Sequence, residues 1–245
     1  MRRARLWTYL RWQARDFVAE RGAPLLIVAT LMAFPIVMGL RELRSATASS
    51  AQATISARYA VVALFAEFSL IAVLIGINGV VSNDRVRGYY RFLFAKPVSI
   101  PRYYAQAYTV NGLGLLITAL GVLGVIYALG YPVFPARVLF MVALVYVSLG
   151  GLGFFYSTLA RFDWVLMGAT WGVAQVLRAV YPANESRAGK VLDVILPPFH
   201  RLREVGQQLA RGESADAGML AWLLGWGIAC FMLGLFMLRR RPLAR

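Results

Sequence analysis

The chain has 245 residues, 60% of them apolar and 15% charged, with a mean hydropathy of +0.62. Soluble domains average about 45–50% apolar and about 25% charged residues, so this composition excludes an ordinary water-soluble globule. Lys and Arg total 26 against 11 Asp and Glu, a net +15, but these charges fall in clusters between apolar runs and not over one basic face, and no nucleic-acid surface is expected. A single cysteine, Cys230, and a single histidine, His200, exclude a disulfide framework and a cysteine- or histidine-rich metal site. No GxxxxGK[S/T] loop occurs, so the chain carries no P-loop, and no cluster suited to acid–base or metal chemistry marks it as an enzyme.

Residues 1–22 place Leu6, Tyr9, Leu10, Phe17 and Val18 on one side of a helical wheel and Arg5, Arg11 and Arg15 on the other, with Trp7 and Trp12 suited to headgroup level. This pattern predicts an amphipathic helix lying in the membrane interface, either as a plain anchor or as a contact for a cytoplasmic partner. No cleavage-like site follows an early apolar run, so a removed signal peptide is not expected.

Crossing a hydrocarbon core takes about 20 mainly apolar residues. Six stretches meet or approach that length: 24–40, 59–81, 104–130, 138–160, 164–181 and 219–238. The fifth carries Arg178 near its end, where a long side chain can snorkel to the interface. The expected fold is all-α: one polytopic transmembrane domain over residues 1–245 with six membrane-spanning helices. The larger share of Lys and Arg falls before the first span, between the second and third, at Arg161 and after the last span. The positive-inside rule therefore puts both termini in the cytoplasm.

Within the spans, Glu67 is an ionisable group that costs about 2.5–3.5 kcal/mol unless paired or wetted. It should face the bundle, a dimer seam or a water-filled path, as a structural hydrogen bond to a Ser, Thr or Tyr hydroxyl or as part of substrate handling. Asn78 is open to the same two readings. The glycines at 112, 114, 121, 124, 150, 151 and 153 should let helices approach closely.

Directly after the second span comes Ser82-Asn83-Asp84-Arg85-Val86-Arg87-Gly88-Tyr89-Tyr90-Arg91-Phe92-Leu93-Phe94-Ala95-Lys96-Pro97-Val98-Ser99. Asp84 is expected to cap a short helix that Pro97 ends. Its aromatics need a surface to cover, either the membrane interface or a partner protein. Residues 182–217 form the longest polar stretch, outside the membrane, and Phe199, Leu202, Val205 or Gly206 and Leu209 recur at helical spacing, which predicts an amphipathic helix. His200 is expected as a hydrogen-bonding surface or interfacial residue.

Taken in order, these features resemble the permease subunits of ABC-2-type ABC transporters. Asp84-Arg85, Gly88, Phe92 to Ala95 and Lys96 to Ser99 are similar to that family's coupling segment. Gly153 to Asp163, with Ser157 to Arg161, is similar to its short inner turn between the fourth and fifth helices. Leu196 to Arg203, followed by a last span and Arg239-Arg240-Arg241-Pro242, resembles its C-terminal third. The resemblance implies an inner-membrane complex with a second permease, a copy or a sister chain, driven by two cytoplasmic ATPase subunits that bind ATP and Mg, with no cofactor in this chain. It implies that the 82–100 segment inserts into a groove on the ATPase, with Asp84, Arg85, Arg87, Gly88, Tyr89, Tyr90, Phe92 and Lys96 as coupling residues. It further implies that the 182–217 segment dips back into the outer leaflet, and that the path lies at a seam lined by the first, second and fifth helices. The expected function is export of a hydrophobic or amphipathic solute by alternating access, with Glu67 and Asn78 as candidate path residues and membrane lipids as surroundings. The alternative is a non-transporting membrane scaffold or regulator that binds a cytoplasmic partner through the same loop.

Overall fold

The computed structural model describes residues 2–45, 50–86, 99–130, 134–160, 162–181 and 186–240, with side chains described except at 2–6, 35–36, 39–45, 50–58 and 85–86. Every regular element among these residues is a helix: α1 (Arg2–Phe17), a π-helical turn (Val18–Gly22), α2 (Ala23–Ser45), α3 (Ser50–Ile77), α4 (Ser82–Val86), α5 (Ile100–Ala128), α6 (Pro135–Leu159), α7 (Asp163–Val180), α8 (Arg187–Ile195), α9 (Phe199–Arg211) and α10 (Ala217–Arg240). Helix is the expected outcome for apolar runs of this length, because lipid offers no partners for free backbone N–H and C=O groups.

The boundaries have local causes. Pro101 and Pro135 sit in the first turns of α5 and α6, where a missing N–H leaves nothing unsatisfied. The Ser186 hydroxyl accepts the Gly189 N–H at 2.9 Å to open α8, and the Asp216 carboxylate accepts the Met219 N–H at 2.7 Å ahead of α10. Gly212, at φ 86°, closes α9 in the left-handed region.

Among the described residues, five stretches are long and apolar enough to cross a membrane: Trp7–Phe34, Tyr59–Asp84, Ile100–Ala128, Pro135–Leu159 and Ala217–Arg240. The chain is thus an all-helical, multi-pass membrane protein. The expected fifth crossing corresponds to α7, an 18-residue helix with Asp163 at its start and Arg178 in its last turn. These charges and its shortness set it apart from the other five. The expected interfacial helix does not end in a loop, since the backbone stays helical at Phe17 and Ala23 on either side of the π turn. It leans on α5, with Tyr9 edge-on to Tyr103, the Gln13 amide donating to the Tyr103 carbonyl at 3.2 Å, and Arg21 in the π turn donating to Asn111 at 2.7 Å. Trp7 and Trp12 remain exposed.

Helix α6 is central: 72% of its apolar window is buried, against 17% for α10. It packs on α3 and α10, and its Tyr146 hydroxyl donates to the Tyr108 carbonyl of α5 while the Tyr108 hydroxyl returns a bond to the Tyr146 carbonyl at 3.2 Å. The crossing of α6 and α10 has no room for side chains. A Cβ on Gly151 would lie 2.1 Å from the Gly227 carbonyl oxygen, and one on Gly227 would lie 2.2 Å from that of Val147. Gly121 and Gly124, expected to allow similar approaches, have nothing within 4 Å. Outward-facing Leu31, Ile117, Val125, Val176, Met232 and Phe236 are exposed, as lipid-facing positions should be.

Candidate functional site

A cleft of about 660 Å³ opens between four helices, each giving one face at helical spacing. Helix α3 contributes Tyr59, Ala63, Ala66, Glu67, Leu70 and Leu74; α6 contributes Met141, Val145 and Leu149; α7 contributes Met167, Gly168, Trp171 and Gln175; α9 contributes Phe199, His200, Leu202, Arg203, Gly206, Gln207 and Ala210. Its length follows from the helical rise: Tyr59 to Leu74 spans roughly 22 Å at about 1.5 Å per residue. That exceeds half of an approximately 30 Å hydrocarbon core.

The lining is sorted by level. Toward one end, Gly153 of α6 faces Ile77 of α3 and Met167 of α7, while higher up Gly206 of α9 faces Met141 and Ala66. Counting upward from that lower layer, Glu67 lies about 15 Å above Ile77 and Gln175 about 12 Å above Met167. The polar groups Glu67, Gln175, Arg203 and Gln207 therefore gather in the upper part. Leu70, Leu74, Leu149 and Met167 line the lower part.

Glu67, a candidate from the sequence, faces the cleft. The hydrogen bond to a hydroxyl considered for it is not formed: among the described residues neither Glu67 nor Arg203 has a hydrogen-bond or ion-pair partner. His200 does not share that freedom, because its Nε2 lies 3.0 Å from Asp193, which also receives Arg201. Burial, followed by the nearby Arg178 guanidinium, holds the His200 imidazole below its ordinary value. Among the described residues Arg203 is thus a positive charge of the cleft with no partner. Helix α9 is pinned where it stands: Arg178 donates to the Pro197 carbonyl at 2.9 Å, Arg201 lies 4.4 Å over the Trp222 ring, and Arg137 donates to the Gly212 carbonyl at 3.1 Å.

At the lower end of the bundle, α3 unwinds into a turn at 78–81 in which Gly79 has φ 71°, a conformation that favours glycine. The Gly79 N–H donates to Asp163 Oδ2 at 2.9 Å, and Oδ1 of the same carboxylate accepts the Trp164 N–H at 3.0 Å. Asp163 is only 2% exposed, so these bonds satisfy a carboxylate that would be costly to bury alone. Asp163→Ala orphans the Gly79 N–H and is expected to cost about 1–3 kcal/mol. The measurement is the thermal midpoint of the detergent-purified chain, with Asp163→Asn intermediate because it keeps one acceptor oxygen; an unchanged midpoint for the alanine variant would refute the tie.

Asn78, the other path candidate, opens that turn and is exposed beside Asp163 and Trp164, with no side-chain hydrogen bond among the described residues. It lies below the cleft and does not line it. Asp84 was expected as a helix cap, but α4 begins at Ser82 and Asp84 sits inside its first turn. There it accepts the Tyr104 hydroxyl of α5 at 3.1 Å, a better use of a carboxylate whose helix has already started. Arg85 belongs to α4, although its side chain lies outside the described set, and Arg87, Gly88, Tyr89, Tyr90, Phe92 and Lys96 lie outside the described residues. Among the described residues no three of His, Cys, Asp and Glu come together in a way that could hold a metal ion. No protein-family model matches the chain, and no curated protein matches it either.

Proposed function

We propose that the chain is the permease subunit of an ATP-binding cassette exporter, moving a hydrophobic or amphipathic solute along the α3/α6/α7/α9 cleft under the drive of separate cytoplasmic ATPase subunits docked on the 82–100 segment. The observation that carries this reading is the cleft itself. A carboxylate, Glu67, and a guanidinium, Arg203, both line it, and neither has a partner among the described residues. A purely structural groove gains nothing from keeping two charges unpaired, whereas a solute path needs groups that are free to engage cargo.

The ties at the lower end supply a route for the drive. Asp163 joins the α3 exit turn to α7, and Asp84 joins α4 to α5. Displacement of the segment beginning at Ser82 therefore acts on α7, a wall of the cleft, through rigid helices and hydrogen bonds. With α7 as a sixth crossing both termini fall on one side, in keeping with the arginines at each end. That side is the cytoplasm of the inner membrane by the positive-inside rule. Helix α9 meets Ala66, seven residues or roughly 10 Å in from Tyr59. Such a depth suits a helix seated within the outer leaflet.

The test is Glu67→Gln in proteoliposomes containing the assembled complex. Because Glu67 holds no partner among the described residues, the variant should assemble and melt like the parent while ATP-driven solute movement falls at least 10-fold. Transport at the parental rate would overturn the role given to the cleft.

A further inference from the structure

As a solute site, the reading on which this inference rests, the cleft specifies more than an apolar cargo. Its upper level presents one negative charge from α3 and one positive charge from α9, neither paired among the described residues, and two amides, Gln175 and Gln207, while the lower level is lined mainly by aliphatic and thioether side chains. Glu67 and Arg203 line the same cavity yet do not approach within ion-pair distance of each other. A ligand with a single charge would engage one of them and leave the other without a contact to the ligand. A ligand carrying both charges can engage both.

Trp171 stands one turn before Gln175 on the cleft face of α7, about 6 Å above Met167, and adds an aromatic wall below the charged level. On the anionic side, Arg203 offers a planar fork of donors suited to phosphate. Gln207, one turn further along the same face of α9, adds a neutral donor. His200 is already engaged with Asp193, so it does not duplicate the positive charge. Below this level, Leu70, Leu74, Val145, Leu149 and Met167 form a trough for an alkyl chain. The whole cleft lies within the 300–1,000 Å³ range of small-molecule sites.

We infer that the cleft binds a zwitterionic amphiphile of the phosphoethanolamine or phosphocholine lipid type, with its ammonium at Glu67, its phosphate at Arg203 and Gln207, and its chain along the trough past Trp171 toward Met167. Charge complementarity selects this occupant over an anionic lipid, whose phosphate would meet Arg203 but leave Glu67 repelled. It also selects it over a cationic amphiphile, which would leave Arg203 unpaired.

The experiment measures binding to the full chain, purified in detergent, by native mass spectrometry, with phosphatidylethanolamine, phosphatidylglycerol of the same acyl chains and an alkyltrimethylammonium amphiphile as probes. Phosphatidylethanolamine should bind at least 10-fold more tightly than phosphatidylglycerol. Glu67→Gln should erase that preference and Glu67→Asp should retain it. Arg203→Gln should weaken both phospholipids several-fold, with all variants as monodisperse as the parent. Equal binding of the two phospholipids, a preference that survives Glu67→Gln, or tighter binding of the alkyltrimethylammonium probe would each overturn the inference. No ATPase is present in this assay, so selective lipid binding without ATP-driven movement would sink the transport reading alone. Transport by a complex that shows no headgroup selectivity would sink this inference alone.

Discussion

With Tyr90 and Phe92 both replaced by alanine, ATP-driven transport by the assembled complex should be lost while the chain still inserts and folds. The two rings stand in a segment that also holds Arg85, Arg87, Tyr89, Arg91 and Phe94. Aromatic and arginine anchors dominate the energetics of protein interfaces, and truncating one typically costs about 2 kcal/mol or more, a factor of roughly 30 in affinity. Two together should reduce docking of the ATPase enough that hydrolysis no longer responds to the permease. The variants leave the described contacts at Gly79, Asp84 and Asp163 untouched, so the thermal midpoint should stay at the parental value. The measurement is ATP hydrolysis and solute uptake in the same proteoliposomes. Coupling at the parental ratio would remove the role assigned to these rings.

The largest effect on folding is expected from Gly151→Leu. Helices α6 and α10 touch backbone to backbone at Gly151 and Gly227, so any side chain there must push the helices apart along the most buried face of the molecule. Overpacking of this kind reaches or exceeds about 3 kcal/mol, and in lipid no hydrophobic gain compensates for lost close packing. The variant should emerge largely aggregated on size-exclusion chromatography, or melt well below the parent. Gly121→Leu is the control, because a Cβ there meets nothing within 4 Å. Equal behaviour of the two variants would contradict the packing described.

The all-helical, membrane-spanning nature is legible in the sequence because it is a property of composition: apolar runs of this length have one way to satisfy their backbones in lipid. The amphipathic helix over 199–211 is legible for a similar reason, since Leu202, Val205, Gly206 and Leu209 share one helical face, and the same residues are buried. Glu67 stands out as a lone carboxylate in an apolar span. Its neighbours across the cleft do not, because Trp171, Gln175, Arg203 and Gln207 come from two other helices and meet only through tertiary packing. Asp163 gives no signal because its partner is a glycine N–H 84 positions away, and a backbone donor leaves no mark in the sequence. Gly227 goes unmarked and Gly121 misleads for one cause: a small residue permits close approach, but only the partner helix decides whether the approach occurs. Asp84 does not open α4, which starts two residues earlier at Ser82, and its carboxylate accepts the Tyr104 hydroxyl, a partner on another helix that sequence does not mark.

The central claim, that a separate ATPase drives this chain through the segment behind α4, is tested most directly by photocrosslinking from position 90 in intact cells. A photoreactive phenylalanine analogue is installed there in place of the native tyrosine. The account predicts an adduct with a nucleotide-binding subunit that is lost when unmodified tyrosine is restored, and protection of position 90 from a membrane-impermeant reagent applied outside. Adducts with lipid alone, or labelling of that position from the exterior, would contradict it.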